Sequence, residues 1–543
     1  MIINYTTSFP KKYTPTSLQV DILNKIEKAF KSGKKFVICC APTGSGKSMI
    51  AKTFDGIGKP VSSEFKDLIE NHDAFRQGQS GEFVNAEKCL SSGPAGTFVL
   101  TITKSLQDQY QNLFEEISIL KGKSNYECEI NNNLTVEDGP CVLSKTVKES
   151  CWKKNICHYY NARKAAIINN FSALNYKMFL SLPDHVKLKS FIVCDEASEL
   201  EEELVRRFSA EIDVIKLTKN GIDCDTPKNI YPENVRPWIN DLIGNLGTAI
   251  EGLKSRLAKR QGTPTEGELF RLKYLGNMHR SLVLVEESWD YADYIIERDG
   301  KVIKLTPLKV DKLSESIFNF GERVVLMSAT IIDHKNFAKS LGIKDYEYIE
   351  VPSQFDPQKS PIFVSAKYKL NYANLEKSLP NVIEQIEEIC EHHKNDKGVI
   401  HTHTQSICEK IKMRLAKDKR FLFRSEDFNN EELLFEHLAV KEPTVLVSPS
   451  LTYGVDLKDD LARFQIIVKL PYLPLSDKRI KKMFDLDKDW YENRMLNTLV
   501  QAAGRATRSI KDHSVTYVLD GCMVDVISRA RHKLPKHFID RIH

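Results

Sequence analysis

A glycine-rich segment close to the N-terminus constrains the fold of this chain more than any other feature. Residues 41–48 (APTGSGKS) directly follow residues 35–40 (KFVICC), an apolar run of strand length, and lead into a helix-like run. A strand that passes into a helix through glycines turns backbone N–H groups towards an anion, and a Cβ at Gly44 or Gly46 would obstruct this path. The segment therefore predicts a phosphate-binding loop.

The side chains of this loop suit a nucleoside triphosphate. Lys47 is predicted to reach the β- and γ-phosphates, and the Ser48 hydroxyl is predicted to ligate Mg²⁺. The other residues predicted to surround the phosphates are Thr43, Gly44, Ser45 and Gly46. The strict motif begins with glycine and this one begins with Ala41, so an ordinary glycine-rich turn is the alternative. The strand and helix on either side favour the phosphate loop.

A second apolar run ends in two adjacent carboxylates, Asp195 and Glu196. Asp195 is predicted to hold Mg²⁺ through water and Glu196 to polarise the attacking water, because phosphoryl transfer depends on positioning and charge neutralisation. A solvated loop is the commoner explanation of Asp-Glu after a strand, but the phosphate loop upstream favours the catalytic interpretation. A third run leads to Ser328 and Thr330, which either relay the nucleotide state to a nucleic-acid site or belong to a plain buried strand.

The second half of the chain alternates strand-like and helix-like runs. The predicted strands are residues 398–403, 445–448, 465–470 and 515–519, and the predicted helices between them are residues 379–394 and 407–415. This alternation predicts a parallel sheet with helices on both faces and ligands at the carboxyl ends of its strands. Because the first half shows the same alternation, we expect an α/β protein with two such lobes.

Polar residues of the second lobe extend the predicted nucleotide site. Gln501, Arg505 and Arg508 share one face if their segment is helical, and the arginines are predicted to stabilise the charge on the γ-phosphate. A solvated helix face is the alternative, but the small residues among them favour close approach to another surface. Gly454 and Asp456 are predicted to contact the ribose or the Mg²⁺ region.

Four of the 12 cysteines stand apart from the others. They lie in a polar stretch of 30 residues, at Cys128, Cys141, Cys151 and Cys157. A disulfide is disfavoured in a reducing compartment, so the spacing predicts a metal ion or a metal cluster. The gaps of twelve, nine and five residues differ from the paired Cys-x-x-Cys of zinc ribbons, although spacing alone leaves zinc open.

The composition narrows the class of protein. Hydrophobic residues make up 41% and charged residues 28% of the 543 residues, as in soluble globular proteins of several domains. We expect a cytoplasmic protein, because the sequence has neither a signal peptide nor an apolar stretch of the roughly 18 residues that span a bilayer. The net charge of +5 permits nucleic-acid binding through a local groove without requiring it.

The motifs together resemble those of superfamily 2 helicases, specifically the iron–sulfur XPD/DinG family. In this comparison Gln19 resembles the adenine-reading residue, residues 101–107 the first DNA-contacting segment, and residues 121–128 and 157–162 the entry to and exit from the cluster. Further similar segments are residues 173–176, 401–404, 448–456, 466–474 and 501–508. The chain departs from the family at Ser198, where the acidic motif usually ends in His.

The resemblance implies two RecA-like parallel-sheet lobes with an inserted iron–sulfur cluster domain and a helical arch domain. Lobe 1 would comprise residues 1–120, 166–200 and 306–345, the cluster domain residues 121–165, the arch residues 201–305 and lobe 2 residues 346–543. The implied cofactors are ATP, Mg²⁺ and a 4Fe–4S cluster held by the four cysteines, in a structural role.

The implied activity is that of an ATP-dependent DNA helicase. It would translocate 5′ to 3′ along single-stranded DNA, act at DNA duplex junctions and work as a monomer. The main alternative is an RNA helicase or a nucleic-acid-dependent ATPase with a zinc site. A nuclease–helicase fusion is disfavoured because the phosphate loop begins within the first 50 residues, and a non-catalytic DNA-binding module is disfavoured because Lys47, Asp195, Glu196 and Arg505 are all present.

Overall fold

The computed structural model describes residues 5–71, 93–259, 264–423, 430–449, 457, 459–506 and 512–543. The chain divides into two compact units. The first comprises Met1–Ile38, Ser48–Met327 and Phe337–Tyr348, and the second comprises Cys39–Lys47, Ser328–Asn336 and Ile349–His543. No helix in these described ranges is long and apolar enough to cross a bilayer.

The strands are β1 Phe36–Cys40, β2 Thr97–Thr101, β3 Ser118–Leu120, β4 Glu127–Cys128, β5 Asn131–Thr135, β6 Phe171–Asn175, β7 Lys189–Asp195, β8 Ala210–Asp213, β9 Tyr294–Asp299, β10 Val302–Pro307, β11 Gly321–Ser328, β12 Tyr346–Glu350, β13 Ile362–Val364, β14 Gly398–His401, β15 Phe421–Phe423, β16 Val445–Ser448, β17 Phe464–Ile467 and β18 Val515–Val518.

The α-helices are α1 Ser17–Lys31, α2 Lys47–Thr53, α3 Ser63–Asn71, α4 Lys104–Leu113, α5 Lys145–Lys153, α6 His158–Ile168, α7 Tyr176–Leu180, α8 Leu200–Arg207, α9 Val214–Lys219, α10 Pro232–Lys259, α11 Glu266–Glu287, α12 Trp289–Ala292, α13 Glu315–Phe318, α14 His334–Ser340, α15 Leu375–His392, α16 Gln405–Leu415, α17 Asn430–Ala439, α18 Lys478–Leu486, α19 Lys488–Ala503, α20 Cys522–Ala530 and α21 Lys536–Ile539.

A seven-stranded sheet in the order β12-β1-β11-β7-β2-β6-β3 organises the first half of the chain. Strand β7 lies between β11 and β2 and pairs with both in parallel, with Asp195 opposite Met327. All seven residues of β7 are buried, because helices cover both faces of a parallel sheet and its strands are then apolar throughout. The acidic motif, Asp195-Glu196, begins at the last residue of this buried strand.

A six-stranded sheet in the order β13-β18-β17-β14-β16-β15 forms the second unit. Its strand pairs are parallel, as predicted. Successive side chains of β17 point to opposite faces: Ile466 packs in a core with α15 and α16, and Ile467 packs in another with α19 and α20. The two parallel sheets confirm the α/β prediction.

The predicted arch region, residues 201–305, contains strands as well as helices. Its longer helices are α8, α10 and α11, in agreement with the helical domain that the family resemblance implies. An antiparallel sheet that was not predicted, in the order β8-β10-β9, also lies in this region and shares the core of α10 and α11. The alternating pattern of β9 and β10 around Asp299-Gly300 was the missed hairpin signal.

Candidate nucleotide and nucleic-acid site

The predicted phosphate loop has the backbone that its glycines allow. Gly44 and Gly46 both have φ of 80°, a conformation that side chains with a Cβ rarely adopt. Lys47 begins α2, and its Nζ donates to the Ala41 carbonyl at 3.1 Å, so the side chain crosses the loop. The Ala41 N–H donates to the Ser328 carbonyl at 2.9 Å, which anchors the loop where β1 ends. The segment is thus a glycine-shaped loop between a strand and a helix, closed by a lysine.

The predicted magnesium carboxylate, Asp195, lies at the end of β7 and accepts hydrogen bonds from Tyr110, Glu196 and Tyr176. It is only 4% exposed. Its Oδ2 accepts a hydrogen bond from the Tyr110 hydroxyl at 3.0 Å, and its Oδ1 accepts one from the Glu196 N–H at 3.0 Å. The Tyr176 hydroxyl donates to the Asp195 backbone carbonyl at 3.1 Å. The Ser48 hydroxyl makes a further polar contact with Tyr110.

Tyr110 was not predicted from the sequence, and Tyr176 was included only as part of the similar segment 173–176. Burial, and next the charge of Asp195, raise the pKa of Tyr110 well above its usual value, so its hydroxyl stays protonated and donates. The available signal was position: Tyr110 follows Gln107 by three residues on α4, the helix that continues the predicted DNA-contacting segment.

Glu196, the predicted water-activating residue, has a strained backbone. Its φ of 49° and ψ of 45° place it in the left-handed region, which a non-glycine residue occupies at a cost of about 1–3 kcal/mol. Such strain persists where the surrounding structure enforces it, and here Glu196 links the buried β7 to a short 3-10 helix, Ala197–Glu199. Ser198 in that helix is buried at 4% exposure.

Gln19, predicted to read adenine, has a local structural role. Thr16 caps α1, and the two residues form a capping box in which the Gln19 Oε1 accepts from the Thr16 N–H at 2.9 Å. The Gln19 N–H donates in return to the Thr16 hydroxyl at 3.2 Å. The box accounts for the orientation of the glutamine at the start of the helix.

The arginine motif of the second unit differs from the predicted geometry. Gln501 is 9% exposed on α19, but this helix ends at Ala503 with Gly504 as its C-cap, so Arg505 is not on a helical face with Gln501. Glycine is favoured where a helix terminates, which explains the break. Arg508 lies outside the described residues. Gly454 and Asp456 also lie outside them.

The end of α19 is held by side chains that the sequence analysis did not select. The Ala503 carbonyl accepts hydrogen bonds from Gln465 Nε2 and Arg541 Nη2, both at 3.0 Å. Burial lowers the pKa of Arg541 to about 10 and that of His401, at the end of β14, to about 4. The end of α19, from which the chain continues to Arg505, is therefore held in place by buried side chains.

The four selected cysteines approach one another. Cys128, Cys151 and Cys157 are buried, and a Cβ on Gly139 would lie 3.0 Å from the Cys128 Sγ. Burial, and also the charges of the other three thiols, raise the pKa of Cys141 to about 11. All four are reduced thiols. Within the described residues, however, no three His, Cys, Asp or Glu side chains are arranged to hold a metal ion. Four cysteine side chains are suitable ligands for a metal cluster, but in this structure they are not arranged around a metal position.

Comparison with known proteins brings these features together. Residues 386–540 match the family model of the helicase C-terminal domain. No curated protein matches the chain. A solved XPD helicase is 17% identical with a TM-score of 0.60, and the alignment covers 95% of this chain and 98% of that one. The S. tokodaii Xpd4 structure is 16% identical with a TM-score of 0.58, covering 97% and 99%. An XPD apo structure is 16% identical with a TM-score of 0.56, covering 96% and 99%.

The chain is XPD-like in fold and carries a helicase C-terminal domain. The predicted resemblance to XPD/DinG-like superfamily 2 helicases is confirmed, and so is the α/β fold with two RecA-like lobes. At 16–17% identity the structural likeness describes the fold, and the domain match supplies the helicase class. The predicted domain boundaries stay a prediction.

The first unit of this XPD-like chain contains a group of cations from five separate elements. We call it the basic cluster, and its members are Lys123, Lys148, Arg163, Arg207 and Arg280. Burial, followed by the charges of Lys148, Arg163 and Arg280, lowers the pKa of Lys123. Lys123 and Arg280 are nevertheless open to solvent. Positive charges grouped in this way raise the local electrostatic potential, which attracts anions.

Residues 254–260 (KSRLAKR) form a second basic segment of the sequence. Lys254 pairs with Glu251 at 2.9 Å, and residue 260 lies outside the described ranges. The rings of Trp289 and Tyr294 stack with their centres 5.4 Å apart and pack against the α10–α11 core.

Proposed function

We propose that this XPD-like chain is an ATP-dependent DNA helicase that translocates 5′ to 3′ along single-stranded DNA. The observation that carries the proposal is the pair of left-handed glycines, Gly44 and Gly46, in a loop closed by Lys47 within an XPD-like fold. The 5′ to 3′ polarity and the choice of DNA come from the family resemblance. We further propose that the chain acts as a monomer at duplex junctions in the cytoplasm.

The residues have distinct roles in ATP hydrolysis. Lys47 and the loop backbone from Thr43 to Gly46 bind the phosphates, while Ser48 and Asp195 are the oxygen donors for Mg²⁺, which supplies charge neutralisation when bound. Glu196 orients and activates the attacking water. Other proposed nucleotide contacts come from Gln19, Gly454, Asp456, Gln501, Arg505 and Arg508.

The basic cluster supports the proposed nucleic-acid path. A single strand presents one phosphate per nucleotide, and cations from several elements can neutralise a run of them. Glu137 is the acidic side chain whose charge acts on Arg280. The single strand would therefore pass between the cysteine-bearing segment, residues 128–157, and α11.

We propose that the four cysteines bind a 4Fe–4S cluster with a structural role. Their segment packs on the α10–α11 core through Val142 and Leu143, and Glu137 pairs with Lys273 of α11 at 2.9 Å. A cluster that fixes this segment would brace the cations beside it. Thiolates also bind zinc, so the metal is an outcome of the test.

Anaerobic purification followed by iron quantification and directional unwinding tests the whole proposal. We expect about four irons per chain, as in a 4Fe–4S cluster. We expect unwinding of DNA duplexes with a 5′ single-stranded tail and not of those with a 3′ tail. Unwinding of the matched RNA duplex in preference would make the chain an RNA helicase. A colourless protein with one zinc would overturn the cluster assignment, and a protein without nucleic-acid-stimulated ATPase would overturn the motor.

A further inference from the structure

Tyr110 occupies a position between the two proposed magnesium donors. It is completely buried on α4, and its hydroxyl donates to the Asp195 Oδ2 at 3.0 Å. The same hydroxyl has a polar contact with Ser48. One side chain thus touches both residues that the proposed mechanism assigns to the metal.

The hydrogen bond from Tyr110 fixes the direction of the Asp195 carboxylate. The other carboxylate oxygen accepts from the Glu196 N–H at 3.0 Å, so both oxygens are oriented by the chain. Partners of a metal-binding carboxylate set its rotamer and its basicity, and their loss typically weakens metal affinity by about 10–100-fold. A tyrosine hydroxyl in this place therefore acts on the metal through the aspartate.

Helix α4 connects this tyrosine to the predicted DNA-contacting segment. Thr103 caps the helix by accepting from the Leu106 N–H at 3.3 Å, and the buried Gln107 donates to the Leu120 carbonyl at 3.2 Å. Seven residues of helix separate Thr103 from Tyr110, a distance of about 10 Å at about 1.5 Å per residue. A helix anchored in this way moves as one body, so a displacement of its first turn reaches the hydroxyl.

We propose that Tyr110 is a positioning residue that orients the Asp195 carboxylate for Mg²⁺ and couples nucleic-acid contact at the start of α4 to ATP hydrolysis. This inference rests on the proposed function, because it assumes that residues 101–107 contact the strand and that Asp195 serves the metal. It adds a residue that the helicase motifs do not include.

The substitution Tyr110→Phe tests the proposal, because it removes only the hydroxyl. Tyr176→Phe is the matched control: it removes another buried hydroxyl that bonds to Asp195, but at the backbone carbonyl and not at the carboxylate. A core hydroxyl that merely needs a partner would give the same result in both variants. Thermal unfolding of both measures the shared structural loss.

Two measurements separate positioning from stability. Binding of Mn²⁺ in the presence of ADP, followed by electron paramagnetic resonance, should weaken about 10-fold in Tyr110→Phe and stay as in the wild type in Tyr176→Phe. The stimulation of ATPase activity by oligothymidylate should fall several-fold in Tyr110→Phe at saturating Mg²⁺, while Tyr176→Phe keeps the wild-type ratio.

The outcomes distinguish a failure of this inference from a failure of the proposed function. If the wild-type ATPase is not stimulated by any single strand, the proposed function fails and the inference falls with it. If the wild type is stimulated and Tyr110→Phe binds Mn²⁺ and responds to the strand as the wild type does, the function stands and the inference is refuted. Equal changes in the two variants would also refute it, since both hydroxyls would then be structural.

Discussion

Lys189 shows at the residue scale how burial changes a charge. Its Nζ is enclosed at the start of β7, where it donates to the Ile167 carbonyl at 2.9 Å and lies 4.3 Å from the centre of the Phe98 ring. Burial lowers its pKa to about 7. Between this value and the ordinary pKa of 10.5, the unfolded chain binds more protons than the folded chain, so the free energy of unfolding rises with pH across that window.

The substitution Lys189→Met should therefore reduce the rise in stability between pH 7 and pH 10. Each pKa unit corresponds to about 1.4 kcal/mol, so the lost rise is expected to be a few kcal/mol. Urea unfolding at several pH values measures it. Lys177→Met, at an exposed lysine, is the control and should keep the wild-type slope. A wild-type slope in Lys189→Met would mean that the lysine is charged throughout.

A substitution at Lys47 tests whether nucleotide binding and single-strand binding depend on separate sites. Lys47→Ala should lower ATP turnover by about 100-fold or more, as when one preorganised donor to transition-state charge is removed. Binding of single-stranded DNA should remain close to wild type, because the basic cluster belongs to other elements. Turnover and fluorescence anisotropy with a labelled strand measure the two effects. Parallel loss of both, with a lower melting temperature, would indicate unfolding instead.

At the element scale, the sequence located several strands and helices of the lobes. The predictions for β18, β16 and α16 were correct to within one or two residues, at residues 515–519, 445–448 and 407–415. Hydrophobic periodicity and the residues that begin and end an element are local signals, so the sequence shows them directly. The antiparallel strands β8, β9 and β10 were missed. Strand β8 pairs with β10 about ninety residues later, a partnership that the sequence alone does not show.

The cysteine-bearing segment provides the prediction for this scale. Cys128→Ser or Cys157→Ser should abolish visible absorbance and strand separation while leaving part of the ATPase activity, because the cysteines and the phosphate loop belong to separate elements. Absorbance spectra, iron content and ATPase rates are the measurements. Cys522→Ser, outside the segment, is the control and should retain absorbance. Unwinding at the wild-type rate by a metal-free variant would exclude a structural role for the cluster.

At the scale of the whole molecule, the net charge of +5 does not by itself indicate a nucleic-acid-binding surface. The positions of the charged residues in the fold are more informative. The members of the basic cluster lie between residues 123 and 280 in sequence and meet only in the folded first unit. Salt dependence is the property that reports such a surface, because each phosphate contact releases counterions.

Replacement of Lys123 and Arg280 by Gln should weaken single-strand binding and make it less sensitive to salt. The slope of log affinity against log salt should decrease in magnitude by about 0.7 for each lost phosphate contact. Anisotropy titrations over a range of salt concentrations give this slope. Lys25→Gln on α1, whose lysine pairs with Asp21 at 2.7 Å, is the control. An unchanged slope in the double variant would place the strand elsewhere.

The sequence by itself determined the phosphate loop, the acidic motif and the two α/β lobes. Each of these depends on local rules: glycines where φ is positive, apolar strands before polar turns, and regular alternation of helix and strand. Only the tertiary structure decided that Tyr110 meets Asp195 and that the basic cluster forms. Tyr110 and Asp195 are 85 residues apart, and burial selects such a polar partnership because neither group can leave its hydrogen bond unmade away from water.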